Sequence, residues 1–269
     1  MISLRSILPR ALRNRFVIEM SRYSTRQRAW NSVRMDSAMS DAVACLRKLL
    51  PASSTISEKE TEEYLEELDS YRPFQVLIEQ HKESLVTDFR FKMDTVGLAA
   101  KLFCYVAIRI IKPNVIIETG CATGTISAFI LLALNKNGNG HLYSIDIPAV
   151  AGERSMDWSL PRHLEPGFMI PAELRDKWTL ILGDARYELI PLLSKQATVD
   201  VFFHDSDHTY EHMMWEYTSA WPYLSDGGLL ISDDIRMNLA FWDFAQAMGR
   251  PIVMHASNPN LGAFSKKQL

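Results

Sequence analysis

The run His204-Asp205-Ser206-Asp207-His208-Thr209-Tyr210 sets two carboxylates and two imidazoles within seven residues, and an Asp233-Asp234 pair follows the apolar run Leu229 to Ser232. Acids gathered at neighbouring strand ends repel one another unless something positive sits among them, and a divalent cation answers that need. Asp205, Asp233 and Asp234 would supply hard oxygen ligands to Mg²⁺ or a similar ion and leave positions open for two substrate oxygens. The alternative is that Asp233 and Asp234 cap the next helix while Asp205 contacts only a cofactor. His208 lies three residues beyond Asp205, and an imidazole with an ordinary pKa of about 6.5 can take a proton near neutrality. Strand alternation turns His204 away from Asp205, which marks it as structural. Asp207 either orients His208 or faces solvent.

A second group surrounds Val115 to Gly124, which reads VIIETGCATG. The β-branched run suits a strand buried on both faces, and Thr125 to Leu134 reads as the helix that follows a tight glycine turn. A strand, a glycine turn and a helix N-terminus make one nucleotide-binding unit. Gly120 and Gly124 permit positive φ and close backbone approach, with Ala122 and Thr123 between them. Glu118 at the strand end can accept hydrogen bonds from a ligand. The ExGxxxG spacing lacks the GxGxxG of the dinucleotide fingerprint, which favours S-adenosylmethionine (SAM) over NAD. An ordinary glycine turn is the other reading. Asp146, twenty-eight residues after Glu118, ends the next strand where a carboxylate binds ribose hydroxyls. Gly183-Asp184-Ala185 ends a third, where Asp184 could accept an adenine amino group beside the small Ala185. Singly, Asp146 and Asp184 could also be turn or cap residues.

The elements that carry these residues alternate. Strands are expected at His141 to Ile145, Trp178 to Leu182, Val199 to Phe203 and Leu229 to Ser232, most of them separated by helices. Such alternation predicts an α/β, doubly wound parallel sheet whose ligands gather at the carboxyl ends of the strands. Tyr210, Met213, Met214, Tyr217 and Trp221 have helical spacing and read as core. Phe241 to Met248 suggests a last helix, and Ile252 to His255 with Leu261 to Ser265 a closing antiparallel pair. Before the glycine unit, helices are expected at Asp36 to Leu50, from a Ser57/Glu60 capping box through Leu68, and from Asp94 to Ile111. The acids Glu58, Glu60, Glu62, Glu63, Glu66 and Glu67 read as a solvated helix face. Pro148 to Asp176, with four prolines, is long enough to be a lid.

The chain has 269 residues, 47% of them hydrophobic, ample for one large domain with a helical extension. We divide it into an N-terminal helical extension, 1–94, and a catalytic domain, 95–269. A net charge of −3 makes no case for a nucleic-acid binder, and three cysteines without metal spacing fit a reducing compartment, with the cytoplasm as default. No apolar stretch is long enough to span a bilayer, since Val96 to Ile111 is broken by Lys101 and Arg109. Residues 1–34 hold eight arginines against one acid, Glu19, which reads as a frayed or exposed basic helix, with peripheral membrane contact or a transit-like leader as alternatives. Nothing fixes an oligomeric state; a homo-oligomer is open.

Taken together, ETGCATG, the strand-end Asp146, GDA at Gly183 to Ala185, HDSDHTYE and GGLLISDD resemble the class I SAM-dependent methyltransferases. More narrowly, they are similar to the group of macrolide-sugar and rhamnosyl O-methyltransferases and cephalosporin-hydroxylase-like proteins. The resemblance covers roughly residues 95 to 265. It implies a Rossmann-like sheet of about seven strands, SAM as methyl donor and, in many relatives, Mg²⁺-dependent O-methyl transfer. It places Glu118, Gly120 and Gly124 in the first SAM motif, Asp146 on the ribose and Asp184 on the adenine. It makes Asp205, Asp233 and Asp234 the metal acids and His208 the general base. At the fifth strand the chain departs from relatives that pair Asp with Asn or Glu with Asp.

The function expected is methylation of a hydroxyl on a sugar or small metabolite. The alternatives are a metal-independent methyltransferase, an NAD-dependent oxidoreductase, which would bind NAD in competition, and a non-catalytic SAM-binding protein, which would leave the acid cluster without metal.

Overall fold

A computed structural model describes residues 35–50, 56–81, 98–147, 160, 164–256 and 258–266. The basic leader, residues 94–97 of the third expected helix and most of the proline-rich segment lie outside the described residues.

Seven strands form one sheet: β1 (Val115–Thr119), β2 (His141–Asp146), β3 (Trp178–Leu182), β4 (Val199–His204), β5 (Leu224–Ser232), β6 (Val253–Met254) and β7 (Gly262–Ser265). Their spatial order is β3-β2-β1-β4-β5-β7-β6. The first five are parallel, while β7 runs antiparallel to both β5 and β6. The strand order reverses between β1 and β4, and that switch point is where a ligand crevice opens in such sheets. Thr119 pairs with His204, and His204 with Ser232, so the ends that carry Gly120, Asp205 and Asp233 lie side by side.

Alternation along the central strands divides the core in two. Ile116, Leu142, Val201, Phe203, Leu229 and Ile231 face one layer, built by α1 (Met35–Leu49), α2 (Glu58–Ser70), α4 (Leu98–Ile111) and α5 (Thr125–Asn137). Ile117, Ile145, Phe202, Leu230 and Phe264 face the other, built by α6 (Ala185–Gln196), α7 (Tyr210–Ala220) and α8 (Ala240–Ala247). A strand covered on both faces has no polar side to show, hence the continuous apolar runs.

The N-terminal helices are integral to the first layer. In α1, Ala38, Met39, Ala42, Leu46 and Leu49 recur at helical spacing and are buried, and the helix packs on α4. Ser57 accepts from the Glu60 amide while Glu60 accepts from the Ser57 amide, the expected capping box opening α2. A short helix, α3 (Pro73–Gln80), follows. The acid cluster on α2 is not solvated throughout. Arg109 of α4 forks onto both oxygens of Glu67 at 3.0 and 3.1 Å, and the Tyr105 hydroxyl also donates to it. That charge-assisted pair ties α2 to α4.

Strand β5 begins at Leu224, five residues before its apolar run, through the polar stretch Ser225-Asp226-Gly227-Gly228. The register with β4 shifts between Val199 and Val201, and Asp200 accepts from Ser225 at 3.0 Å, so side-chain bonding takes the place of apolar packing there. Such a stretch carries no period-2 signal.

Candidate active site

The glycine turn leaves β1 at Gly120, whose φ is +80°. Its N–H donates to the Ile145 carbonyl at 2.8 Å, joining the turn to β2. A Cβ there would stand 2.1 Å from the Asp205 carbonyl oxygen, so only glycine lets the β4–α7 loop pass. Gly124, at φ +81°, caps α5, and a Cβ on it would lie 2.6 Å from the Gly167 Cα. Across that contact the Gly167 N–H donates to the Ala122 carbonyl at 2.8 Å and the Met169 N–H to that of Thr123 at 2.9 Å. The described end of the proline-rich segment is thereby stitched to the turn, before a 3₁₀ helix, Ala172–Lys177, leads into β3.

The carboxylates expected around a nucleoside occupy the ends of β1, β2 and β3. Asp146 accepts the Cys121 and Ala122 amides on one oxygen, at 2.8 and 2.7 Å, and so holds the turn open from the β2 side. Asp184 is the N-cap of α6, accepting from the Arg186 amide at 2.9 Å, and Ala185 beside it is buried. The Gly183 amide donates to the Asp146 carbonyl at 2.9 Å, which sets the two acids next to each other. Glu118 points beneath the turn. It is 1% exposed and accepts from the Ser127 and Ser144 hydroxyls at 2.7 and 2.5 Å, while Ser144 in turn accepts from Trp178 Nε1 at 2.9 Å. Its carboxylate braces β1 against α5 and β2, a use the expectation of a ligand acceptor did not include.

On the other side of the switch point, the Asp205 amide donates to the Thr119 carbonyl at 2.8 Å and the Asp233 amide to the His204 carbonyl at 3.0 Å. These steps set the β4 and β5 loops against the glycine turn. His208 then stands between two carboxylates, its Nε2 at 3.7 Å from Asp205 and its Nδ1 at 4.0 Å from Asp234. Asn238 holds its carbonyl oxygen at 2.9 Å. Burial, reinforced by the neighbouring His204, pushes the His208 imidazolium down to about 3, against the pull of Glu216 and Asp207. The ring is therefore neutral at pH 7 with a lone pair to offer. Burial also raises the Asp234 carboxyl above the usual range, and the Asn260 amide, 3.1 Å away, opposes that.

The donor set expected for a divalent cation does not close. Among the described residues no three His, Cys, Asp or Glu side chains form a group able to hold a metal ion. Asp205 and Asp234 flank an imidazole, and Asp234, at φ +49°, is bonded to Asn260. As placed, Asp205, Asp233 and Asp234 do not form such a group.

Other expectations resolve locally. His204 is buried and bonded to Glu216, the structural place that strand alternation assigned to it. Asp207 accepts from the Thr209 amide at 3.0 Å, a turn bond. Met213 and Tyr217 are core, but Tyr210 is 38% exposed and donates to Asp243, because it opens α7 before the helix turns under the sheet. Sequence reasoning missed Glu216, a fully buried acid that gathers Thr119, His204, Ser206 and His212. The signal was a carboxylate between the core residues Met213 and Tyr217, four residues after a histidine.

A family model described as a methyltransferase domain matches residues 117–235. That segment runs from β1 to just beyond β5 and holds Glu118, the glycine turn, Asp146, Asp184, Asp205, His208, Glu216, Asp233 and Asp234. No curated protein matches the chain. Among solved structures, the SAH-bound Podospora anserina methyltransferase PaMTH1 is similar over 80% of this chain and 97% of its own, at 11% identity and a TM-score of 0.50. An O-methyltransferase from Bacillus cereus in complex with SAH is similar over 71% and 88% (13% identity, TM-score 0.49), and the calicheamicin methyltransferase CalS11 over 82% and 96% (15%, 0.47). At 11% identity the likeness to PaMTH1 is one of fold alone. Residues 117–235 thus carry a methyltransferase domain, set on this sheet order and around this glycine turn, and SAM-dependent methyl transfer is the activity they support.

Proposed function

We propose that the methyl acceptor is a hydroxyl on a sugar or other small metabolite, so that the reaction is O-methylation, with His208 as general base. The observation that carries this reading is the neutral, half-buried imidazole between Asp205 and Asp234, in the loop that follows β4. An acceptor hydroxyl within reach of His208 gives up its proton to the ring as its oxygen attacks the sulfonium methyl. The new C–O bond forms as the methyl–sulfur bond breaks, leaving S-adenosylhomocysteine and a methyl ether. The imidazolium that forms has carboxylates 3.7 and 4.0 Å away to offset its charge. The rest of the rate comes from holding oxygen, carbon and sulfur in line, because no covalent enzyme intermediate is required.

The test is transfer of labelled methyl from SAM to a panel of nucleotide sugars, simple glycosides and phenols, with Mg²⁺ and then with chelator. Product in the hydroxyl panel, lowered on the order of 10²-fold in His208→Ala with SAM affinity retained, is the expected result. Unchanged turnover in that variant would remove His208 from the mechanism. Loss of turnover with chelator would require Asp205, Asp233 and Asp234 to regroup around a cation on substrate binding.

A further inference from the structure

Glu216 sits in the middle of α7 and is fully buried. A buried carboxylate is destabilising unless its lone pairs are filled, and here all of them are used. One oxygen accepts from Thr119 Oγ1 and His204 Nδ1, each at 2.6 Å; the other accepts from Ser206 Oγ at 2.8 Å and His212 Nε2 at 2.9 Å. The donors come from the end of β1, the end of β4, the β4–α7 loop and α7 itself. Burial pushes this carboxyl up, but the charges and hydrogen bonds of His204 and His212 outweigh that and hold it well below the usual range.

Three of the four donors lead to His208 or to the loop that carries it. Thr119 receives the Asp205 amide on its carbonyl. Ser206 lies between Asp205 and His208 in the chain. The His204 ring stands edge-on to that of His208, with centroids 5.3 Å apart and planes at 83°. A carboxylate accepts only, so His204 must carry its proton on Nδ1, which fixes the orientation of the ring against which His208 packs.

We propose that Glu216 is a positioning residue for the transfer reaction: through Thr119, His204 and Ser206 it locks the loop that presents Asp205 and His208, without touching the acceptor. The inference rests on His208 being the base.

The test uses the full chain, ¹⁵N-labelled and saturated with S-adenosylhomocysteine. The native protein should show a far-downfield proton for His204 Nδ1 on a carboxylate. Glu216→Gln should abolish that signal, shift the His208 ring nitrogens and lower kcat on the order of 10²-fold, with cofactor affinity changed less than about threefold. Ser206→Ala removes one donor of the four and covers the case in which the glutamine variant does not fold; it should move the His208 signals the same way by less. Glu67→Gln, remote from the site, controls for simple loss of stability and should leave them in place. His208 signals unmoved in both Glu216→Gln and Ser206→Ala would overturn the proposal. His208→Ala with native turnover would instead overturn the reading of His208 as base, so the two failures are distinguishable.

Discussion

Two glycines with almost the same backbone angle separate conformational cost from steric cost. Gly120 has φ +80° and Gly138, at the end of α5, φ +78°. Alanine in the left-handed region costs about 1–2 kcal/mol, partly offset by about 0.4–1 kcal/mol from a stiffer unfolded chain. A Cβ at Gly138 meets nothing within 4 Å, so Gly138→Ala should lose only that difference. At Gly120 the same Cβ lies 2.1 Å from the Asp205 carbonyl oxygen, 2.6 Å from its carbon and 2.9 Å from the Ser206 Cα, all backbone atoms that no rotamer change can clear. Carbon and carbonyl oxygen settle at about 3.3 Å or more, so the β4–α7 loop must retreat by roughly 1 Å. Overpacking of that kind adds about 1–3 kcal/mol. With a sensitivity of roughly 2–4 °C per kcal/mol for a chain of this size, Gly120→Ala should lose several degrees more than Gly138→Ala. Because the displaced loop carries Asp205 and His208, turnover should fall on the order of 10²-fold in the first variant only. Thermal unfolding, S-adenosylhomocysteine calorimetry and methyl-transfer rates measure the three effects. Equal melting temperatures and equal rates in the two variants would refute the close approach of turn and loop on which the site description depends.

Asp146→Ala releases the Cys121 and Ala122 amides from their shared oxygen, so it should lose about 2–3 kcal/mol in urea unfolding and weaken S-adenosylhomocysteine binding more than tenfold; native affinity would mean that the turn is held by other groups. Acid should destabilise the fold. His208 is pushed down to about 3 in the folded chain and returns to about 6.5 when unfolded, so the unfolded state binds the proton first and stability falls as pH drops below 6.5. Between pH 7.5 and 5 the loss from this group is about 2 kcal/mol, and urea midpoints of His208→Ala should show correspondingly less pH dependence over that window. Identical slopes for the variant and the native chain would place the depressed group elsewhere.

What the sequence disclosed follows from which forces act locally. Strands β1 and β3 are bounded where the apolar runs put them: β1, buried on both faces, leaves a continuous signal, and β3, a partly exposed edge strand, is a short apolar run that Gly183 ends. The Ser57/Glu60 cap was legible for the same reason, both halves of the motif lying within one turn. Gly120, Gly124, Asp146 and Asp184 come out at adjacent strand ends because a parallel sheet delivers every strand end to the same edge. The start of β5 was hidden, since Ser225 to Gly228 is held by side-chain bonds rather than an apolar face.

Partnership across the fold was the part least open to sequence reasoning. Glu67 and Glu118 both read as acids with an obvious role, one solvated and the other facing ligand. Their actual donors, Arg109 and Tyr105 for the first and Ser127 and Ser144 for the second, come from other elements whose approach is decided by packing. Glu216 is the extreme case, because its four donors are spread over β1, β4, the loop and α7. The acids at 205, 233 and 234 show the converse. Density of charge in the sequence argued for a cation, but in the fold Asp234 is bonded to Asn260 and Asp205 faces one edge of His208, so these two acids have partners within the chain. The two carboxylates beside His208 offset part of the charge that burial disfavours when the ring takes up a proton, and the carboxylate behind it, Glu216, decides how firmly that base is held.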